Sequence, residues 1–332
     1  MTPATPKTSV SAVAGTNAMA PAPEGSWLGT LRGGRYPGGR MEYVVVTGSG
    51  EAPGPSPFER NANRQRQGTA NMSEEVTRRL ALAEETAREA GALALDFFMR
   101  RGELEIEAKT SAQDIVSRAD REVETLIRAR VAASFPDDGF LGEEFGATAA
   151  ASGFTWVIDP IDGTSPFLSG LPHWCVSIAV HDGRDTVAGV IAVPTAGEVF
   201  TARRGGGARL DGRPLRVPET LNVLNGVVGI GANHRTPPRA AAQVIERLLG
   251  AGGMFFRNGS GALMLAHVAA GRLAGYWEAH MNAWDCLAGL LITAEAGGRC
   301  APFCEGRDLS EGDAVLAAAP GAWDGLRAVL DG

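Results

Sequence analysis

The chain has 332 residues, of which 44% are hydrophobic, and its formal net charge is -7 at pH 7. This length and apolar content allow one large domain or two ordinary ones around a substantial buried core. The acidic balance argues against a nucleic-acid-binding surface, and no apolar run is long enough for a membrane span. Because the N-terminus also lacks the pattern of a secretory signal, we expect a cytoplasmic enzyme or binding protein that contacts neither nucleic acid nor membrane.

The first 71 residues differ in composition from the rest of the chain. They are rich in Pro, Gly, Ala, Ser and Thr and contain one short strand-like piece, "MEYVVVTG". This composition predicts a disordered leader, or a start that precedes the true one. The alternative, a docking or regulatory tail, is less favoured because the segment has no charge block and no amphipathic pattern.

Two helices are predicted next. Ser73 is a plausible N-cap with two glutamates in the first turn behind it, which favours a long amphipathic helix. Its apolar residues recur at helical spacing, at Val76, Leu80, Ala83, Ala87, Ala90, Ala94 and Phe97. A second helix is predicted over 119–134, and "FPDDG" ends it.

The remaining sequence indicates two halves of different architecture. Residues 174–217 contain β-branched runs separated by Asp-Gly and Gly-rich turns, which predicts an antiparallel meander. Strand-like and helical segments then alternate to the C-terminus. We therefore predict an α+β half over 72–218 and a layered α/β half over 219–332 with a mixed sheet.

The stretch "WVIDPIDGTSPF", residues 156–167, carries two aspartates out of an apolar run with nothing basic beside them. Asp159 ends the predicted strand, and Pro160 forces a turn that can bring Asp162 and the Ile161 carbonyl beside it. Gly163 and Thr164 then open a helical segment whose N–H groups could face an anion. The simpler interpretation is a turn whose aspartates cap a helix or face water.

Other acidic residues follow short apolar steps or begin helices. Glu143 and Glu144 lie in "FLGEEFG", Asp120 lies in "SAQDIVSRAD", and Asp285 begins a helix in "NAWDCLAG". Each has an ordinary explanation as a helix cap or a solvated surface residue.

The ordered set of motifs resembles a known family. "DIVSRAD", "GEE", "WVIDPIDGT", "GSGALMLAHVAAG", "GYWE" and "WDCLAGLLITAEAGG" together are similar to the inositol monophosphatase family, over residues from about 73 to 332. The resemblance implies the layered αβαβα sandwich of the sugar phosphatases and a metal-dependent phosphate monoesterase. It also implies a homodimer.

By this resemblance, the metal ligands are Glu143, Asp159, Asp162, the carbonyl of Ile161 and, at a second ion, Asp285. Physical chemistry agrees, because clustered carboxylates repel one another and their hard oxygens select Mg²⁺. Two Mg²⁺ ions balance the four carboxylates but not a bound phosphate dianion, so a third ion near Asp120 is possible.

The implied reaction is metal-assisted hydrolysis. Glu143 and Thr164 would orient the attacking water with Asp120 nearby, and the N–H groups of Gly163 and Thr164 would hold phosphate oxygens. The residues implied to face the alcohol part of the substrate are Gly259, Ser260, Gly261 and Glu278, and Lys109 resembles a family lysine that contacts the substrate near the metal site. For these residues, helix-start and strand-end geometry, or for Lys109 a solvated surface position, explains the sequence about as well.

The substrate is left open by the residues that follow Gly-Thr. Ser165, Pro166 and Phe167 stand where inositol phosphatases usually have Thr-Asn-Phe, and the run resembles the histidinol-phosphate phosphatase branch. We expect inositol monophosphate first, histidinol phosphate second, and a bisphosphorylated nucleotide or sugar third. The substrate class is thus a small phosphorylated polyol or amino alcohol. A non-catalytic interaction protein on the same fold is the alternative from another class.

Overall fold

The computed structural model describes residues 72–101 and 118–332 in full and, elsewhere, the backbone of five strands and of residues 57–71. The chain divides into two compact units, Met1–Ala70 and Asn71–Gly332. The first unit contains an antiparallel sheet of order β1-β3-β2, formed by β1 (Thr8–Val13), β2 (Ser26–Arg32) and β3 (Tyr43–Ser49). The sequence pattern indicated one strand in this stretch, whereas the structure has three. The interpretation of residues 1–71 as a leader that the second unit does not need stays a prediction.

Helix α1 (Pro57–Met99) is longer than predicted, since it begins at Pro57 and not behind Ser73. Proline is well suited to the first helical position, and the polar residues that follow it include several good helix formers. The apolar stripe that marked the helix in the sequence starts at Val76 and is buried, except that Leu80 is partly buried. The stripe therefore located the face that packs, and the helix extends beyond it.

The larger sheet has eight strands in the order β13-β12-β11-β10-β9-β8-β6-β7. Its strands are β6 (Gly139–Gly142), β7 (Gly146–Thr148), β8 (Thr155–Asp162), β9 (Cys175–His181), β10 (Thr186–Val193), β11 (Glu198–Arg203), β12 (Gly207–Leu210) and β13 (Arg213–Leu215). From β8 to β13 neighbouring strands are antiparallel, as the predicted meander requires, and β6 pairs with β8 in parallel. A separate two-stranded pair, β4 (Ile106–Ala108) and β5 (Ile115–Ser117), precedes helix α2 (Arg118–Ser134).

The smaller sheet is mixed and has the order β15-β14-β16-β18-β17. Its strands are β14 (Val227–Ile230), β15 (Met254–Phe256), β16 (Gly275–Met281), β17 (Arg299–Cys300) and β18 (Asp313–Ala318). The remaining helices are α3 (Thr164–Leu168), α4 (Pro238–Gly250), α5 (Gly261–Ala269), α6 (Ala283–Glu295) and α7 (Trp323–Asp331), with a short 3-10 helix at Leu309–Glu311.

Alternate residues of the larger sheet face two different cores. Trp156 and Ile158 on β8 pack with the buried faces of α1 and α2. Val157, between them, faces the opposite core, which includes residues of α5 and α6. Helices α5 and α6 also pack on the smaller sheet, whose far side is covered by α4 and α7. The predicted αβαβα sandwich is therefore confirmed, and α5 and α6 are its middle layer. In the described part of the chain, no helix has both the length and the apolar composition needed to cross a membrane.

Candidate active site

The two aspartates of the sequence motif lie at the end of β8. The pairing of β8 with β9 shifts register between Asp159 and Asp162, so the strand bulges at the intervening proline. Both carboxylates are nearly inaccessible, with 2% of Asp159 and 7% of Asp162 exposed. The Asp159 Oδ1 atom accepts a hydrogen bond of 3.0 Å from the backbone N–H of Ile161, which fixes the turn.

Asp162 is held by the N-terminus of helix α5, in the middle layer. Its Oδ2 atom accepts hydrogen bonds from the Ser260 hydroxyl at 2.6 Å and from the Ala262 N–H at 2.7 Å. The Gly261 N–H donates to Oδ1 at 3.3 Å. These donors stabilise a carboxylate, because they satisfy free helix N–H groups and lie at the positive end of the helix dipole.

Asp285 comes from helix α6 of the same layer. It occupies the third position of the helix, and its Oδ2 accepts a hydrogen bond of 3.1 Å from the Asn282 N–H. Oxygen atoms of Asp159, Asp162 and Asp285 all lie within 4.8 Å of one another. Two strand-end residues and a helix-start residue thus meet at one point.

Glu143 follows strand β6 and lines the same cavity as the three aspartates. Its backbone N–H donates to the carbonyl of Ile158, at 3.3 Å, on the neighbouring strand β8. The parallel pairing of β6 and β8 brings the two strand ends together, so Glu143 lies beside the aspartate pair.

Thr164 joins the turn to helix α2. Its hydroxyl lies 3.3 Å from Asp120 Oδ1 and 3.2 Å from the Ile161 carbonyl oxygen, within hydrogen-bonding range of both. Asp120 is fully buried. Gly163, before Thr164, has φ of 98°, in the left-handed region, and a side chain there would meet the His173 carbonyl. This turn needs glycine, and Thr164 reaches both groups because of it.

Burial and mutual repulsion act together on the carboxylates. Burial raises the pKa of Asp159 and of Asp285 well above the ordinary value, and the neighbouring acidic groups raise both further. Burial also raises the pKa of Asp162 to about 6, although its hydrogen bonds from Ser260 and Ala262 oppose the shift. Among the described residues, no arginine or histidine forms an ion pair with these three aspartates.

This donor set suits a hard divalent cation. It consists of carboxylate oxygens and the Ile161 carbonyl, with no imidazole ligand, and such sets favour Mg²⁺, Ca²⁺ or Mn²⁺ over zinc. Cys175 lies 3.7 Å from Asp162, but burial and the nearby carboxylate raise the pKa of its thiol, which disfavours the thiolate that a soft metal needs.

The carboxylates form one end of a cavity of about 750 Å³. Its other walls include Gly163, Ser260, Gly261 and Glu278, which the sequence analysis assigned to the substrate. Ser260 donates its hydroxyl to Asp162, a contact that the sequence did not reveal. Lys109, also predicted to face the substrate, lies outside the described residues.

Glu278 lies on β16 and is 8% exposed. Its Oε1 atom accepts a hydrogen bond of 2.8 Å from the Asn233 side chain, and its Oε2 accepts one from the Tyr276 hydroxyl. Burial raises the pKa of Glu278, and the two hydrogen bonds, together with Arg257 and Arg235, oppose the shift.

Among the cavity residues that the sequence did not reveal are Asn233, Arg235, Arg257 and Asn258. They follow the parallel strands β14 and β15 of the smaller sheet. Ligands commonly bind outside the carboxyl ends of parallel strands, so the signal was present in the predicted strand-helix alternation. This signal does not by itself identify the residues, because the sequence does not give the order of the strands in the sheet.

Comparison with known proteins agrees with the fold and the motifs. A model of the inositol monophosphatase family matches residues 75–330. The chain is 41% identical over 207 residues to an inositol-1-monophosphatase of Mesorhizobium japonicum, covering 61% of this chain and 78% of that one. It is 36% identical over 244 residues to a histidinol-phosphatase of Chlorobaculum parvum, covering 73% and 93%. The crystal structure of the extragenic suppressor protein suhB of Bartonella henselae superposes with a TM-score of 0.70 and 33% identity, covering 75% and 97%.

Proposed function

The chain belongs to the inositol monophosphatase family of metal-dependent phosphatases, and on this premise we propose that it hydrolyses a small phosphate monoester in a Mg²⁺-dependent reaction. Inositol monophosphate, which would give inositol and phosphate, is the first substrate that we propose, because of the likeness to an inositol-1-monophosphatase. The observation that carries the proposal is the convergence of Asp159, Asp162 and Asp285 oxygens within 4.8 Å, without a basic partner among the described residues.

We assign the metal site to Glu143, Asp159, Asp162, Asp285 and the carbonyl of Ile161. When bound there, Mg²⁺ would balance the carboxylate charge, make a water more acidic and stabilise the departing alcohol oxygen. Two ions, or three with one near Asp120, are the number we propose. The role of the fold is to keep the carboxylates together before the ions arrive, which the hydrogen bonds to Asp162 and Asp285 do.

The chain's own groups orient the reactants. Glu143 and Thr164 are the residues that we assign to the attacking water, because both line the cavity beside the aspartates. The Thr164 hydroxyl can donate a hydrogen bond to Asp120 Oδ1. With its proton directed there, the lone pairs of the hydroxyl oxygen would point toward the cavity. The backbone N–H groups of Gly163 and Thr164 are assigned to phosphate oxygens.

The alcohol part of the substrate is assigned to the rest of the cavity. Glu278 can accept hydrogen bonds from hydroxyl groups, and Gly261 and Ser260 line the same cavity. Lys109 keeps the role of a substrate contact as a prediction. By family resemblance, we also propose a homodimer located in the cytoplasm.

Histidinol phosphate is the second candidate substrate. The likeness to a histidinol-phosphatase and the Ser165–Phe167 run favour it. A bisphosphorylated nucleotide or sugar is the third. A non-catalytic interaction protein on this fold is the alternative from another class, and the intact set of carboxylates argues against it.

The test is a phosphate-release assay on purified protein, with Mg²⁺ and with excess chelator. The panel contains inositol monophosphate, histidinol phosphate and a bisphosphorylated sugar, and the matched control is Asp162→Asn protein. We expect release in Mg²⁺ only, greatest from inositol monophosphate, and none from the variant. Full turnover in chelator would overturn the metal-dependent reaction. No turnover of any ester at any Mg²⁺ concentration would favour the interaction protein.

A further inference from the structure

Two arginines lie on the cavity wall formed by the smaller sheet. Arg235 follows β14 and Arg257 follows β15. Among the described residues, neither forms an ion pair with a carboxylate, although many other arginines of this part of the chain do. The two guanidinium groups therefore have no carboxylate in direct contact among the described residues, and Glu278 is close enough for both to lower its pKa.

The two arginines are held near one another by their loops. The Arg257 guanidinium donates a hydrogen bond of 2.9 Å to the carbonyl of Ala232, three residues before Arg235. The Arg235 loop is in turn fixed to β16, since the Asn233 amide donates to Glu278 at 2.8 Å and to the His280 carbonyl at 2.6 Å. Hydrogen bonds thus hold the loops of this wall together before any ligand binds.

A third donor lies beside Arg257. Asn258 is 7% exposed and lines the cavity. Its Oδ1 atom accepts a hydrogen bond of 2.9 Å from the Ser260 N–H, which identifies the other end of the amide as its NH₂ group. That Nδ2 atom is buried and has no hydrogen-bond partner among the described residues. Buried donors without a partner are rare, so this one suits a ligand that carries acceptors.

The charges of the cavity wall divide into two groups. Glu143, Asp159, Asp162 and Asp285 are the carboxylates that two divalent cations would balance. The other charged groups that line the cavity are Arg235, Arg257 and Glu278, so positive charge exceeds negative charge by one among these three. An ammonium group on the leaving alcohol would be repelled there, and an anionic group would be attracted.

We propose that Arg235, Arg257 and the Asn258 amide form a second anion subsite, which favours a substrate with a phosphate or carboxylate on its alcohol part over an otherwise matched substrate without one. This inference rests on the proposed function. Guanidinium groups bind both anions through paired N–H donors, which is the chemistry that the two sources share.

The test compares substrates that differ in one charged group. On the alcohol part, glycerol phosphate carries a neutral group, phosphoglycerate an anionic carboxylate and phosphoethanolamine a cationic ammonium. A second comparison, of fructose monophosphate with fructose bisphosphate, tests the effect of a second phosphate. We measure kcat and KM for wild type, Arg235→Gln, Arg257→Gln and the double variant. Arg239→Gln is the matched control, because Arg239 is exposed on α4 and does not line the cavity.

We expect wild type to prefer phosphoglycerate over glycerol phosphate, and glycerol phosphate over phosphoethanolamine. Each single substitution should lower the first preference about fivefold, through KM, because an exposed charge pair contributes about 1 kcal/mol. The double variant should lose more, and Arg239→Gln should keep the wild-type preference. The pair with the larger effect, phosphoglycerate with glycerol phosphate or the two fructose esters, identifies the anion as carboxylate or phosphate.

Unchanged preferences in the double variant would overturn the subsite, and so would a wild-type preference for phosphoethanolamine. If Mg²⁺ supports no phosphate release from any ester, the proposed function fails and the subsite is judged by calorimetric titration with phosphoglycerate. Weaker binding to the double variant would then support the subsite, and equal affinity for both proteins would overturn it.

Discussion

The carboxylate of Glu124 accepts a hydrogen bond of 2.9 Å from the backbone N–H of Glu144, 20 residues away in the sequence. Glu124 is fully buried on α2, and its Oε1 atom accepts from Arg128 Nε at 2.7 Å. That oxygen would lie 2.0 Å from a Cβ at Gly142, so only glycine allows this approach. Glu124 therefore contacts the chain on both sides of Glu143 and positions that residue.

Glu124→Gln should weaken metal binding without unfolding the protein. The amide has one acceptor oxygen, so it must direct its NH₂ group at the Glu144 N–H or at Arg128. We expect the Mg²⁺ concentration for half-maximal activity to rise about tenfold, and Mg²⁺ affinity measured by calorimetry to fall in parallel. The matched control is Glu122→Gln, a partly exposed position on the same helix that pairs with Arg118. An unaltered Mg²⁺ affinity with a lowered melting temperature would show that Glu124 is purely structural.

Asp162→Asn should inactivate the enzyme while the fold remains. The amide has one acceptor oxygen instead of two for the donors of Ser260, Gly261 and Ala262. Loss of the second acceptor costs about 1 kcal/mol, as at a helix cap. Relief of repulsion from the other carboxylates offsets this cost, so the melting temperature in chelator should hold or rise. Mg²⁺ should raise the wild-type melting temperature and hardly change that of the variant. Asp308→Asn, which changes the cap of the 3-10 helix, is the control. Near-wild-type turnover of the variant would falsify the assignment.

Arg79→Lys should destabilise the fold by about 2 kcal/mol, because the lysine keeps the charge of this buried ion pair but loses one of its two hydrogen bonds to a charged group. Arg79 is 4% exposed and donates to both oxygens of Asp138, at 2.8 Å each. Its guanidinium carbon lies 4.2 Å from the Phe135 ring centroid and 3.8 Å from that of Phe154. A lysine ammonium cannot reproduce the planar double contact. Urea unfolding measures the loss, with exposed Arg78→Lys as control. A loss below about 0.5 kcal/mol would contradict the argument.

His267 should make the fold sensitive to mild acid. Burial, with help from Arg272, lowers the pKa of His267 from 6.5 to about 4. Below pH 6.5 this histidine is protonated in the unfolded chain and stays neutral in the folded protein. Its contribution to the free energy of unfolding therefore decreases as the pH is lowered from 6.5, and the decrease stops below about pH 4. His267→Gln should flatten the dependence of unfolding free energy on pH in this window. Equal slopes for wild type and variant in urea titrations would refute the assignment.

A chain that begins at Met72 should keep its activity and melting temperature. The predicted N-cap, Ser73, would then start the helix one residue later, ahead of the buried stripe that begins at Val76. Loss of phosphate release or a lower melting temperature, compared with the full-length chain, would show that residues 1–71 support the enzyme.

Local patterns in the sequence predicted the two halves of the fold and singled out the acidic stretches, and the resemblance to a family joined them into the αβαβα sandwich and one set of metal ligands. Asp159 precedes a proline turn, and Asp285 lies at the start of a helix. Both signals can be recognised from a few adjacent residues. The partners of these groups could not be predicted. Ser260, Glu124 and Arg257 act across 20 or more residues, and their partners are set by strand order and helix packing. The early start of α1 was missed because polar residues extend a helix without adding an apolar period.

The bond between Ser260 and Asp162 spans 98 residues, and the one between Ser177 and the Trp284 carbonyl spans 107. During synthesis, β8 leaves the ribosome several seconds before α5 and α6 exist, since translation adds roughly 5–20 residues each second. For that interval the nascent chain has Asp159 and Asp162 but neither Asp285 nor the end of α5 that holds Asp162. The active site can consequently form only after most of the chain has been synthesised. A truncated transcript or a stalled ribosome yields a chain that lacks part of the site.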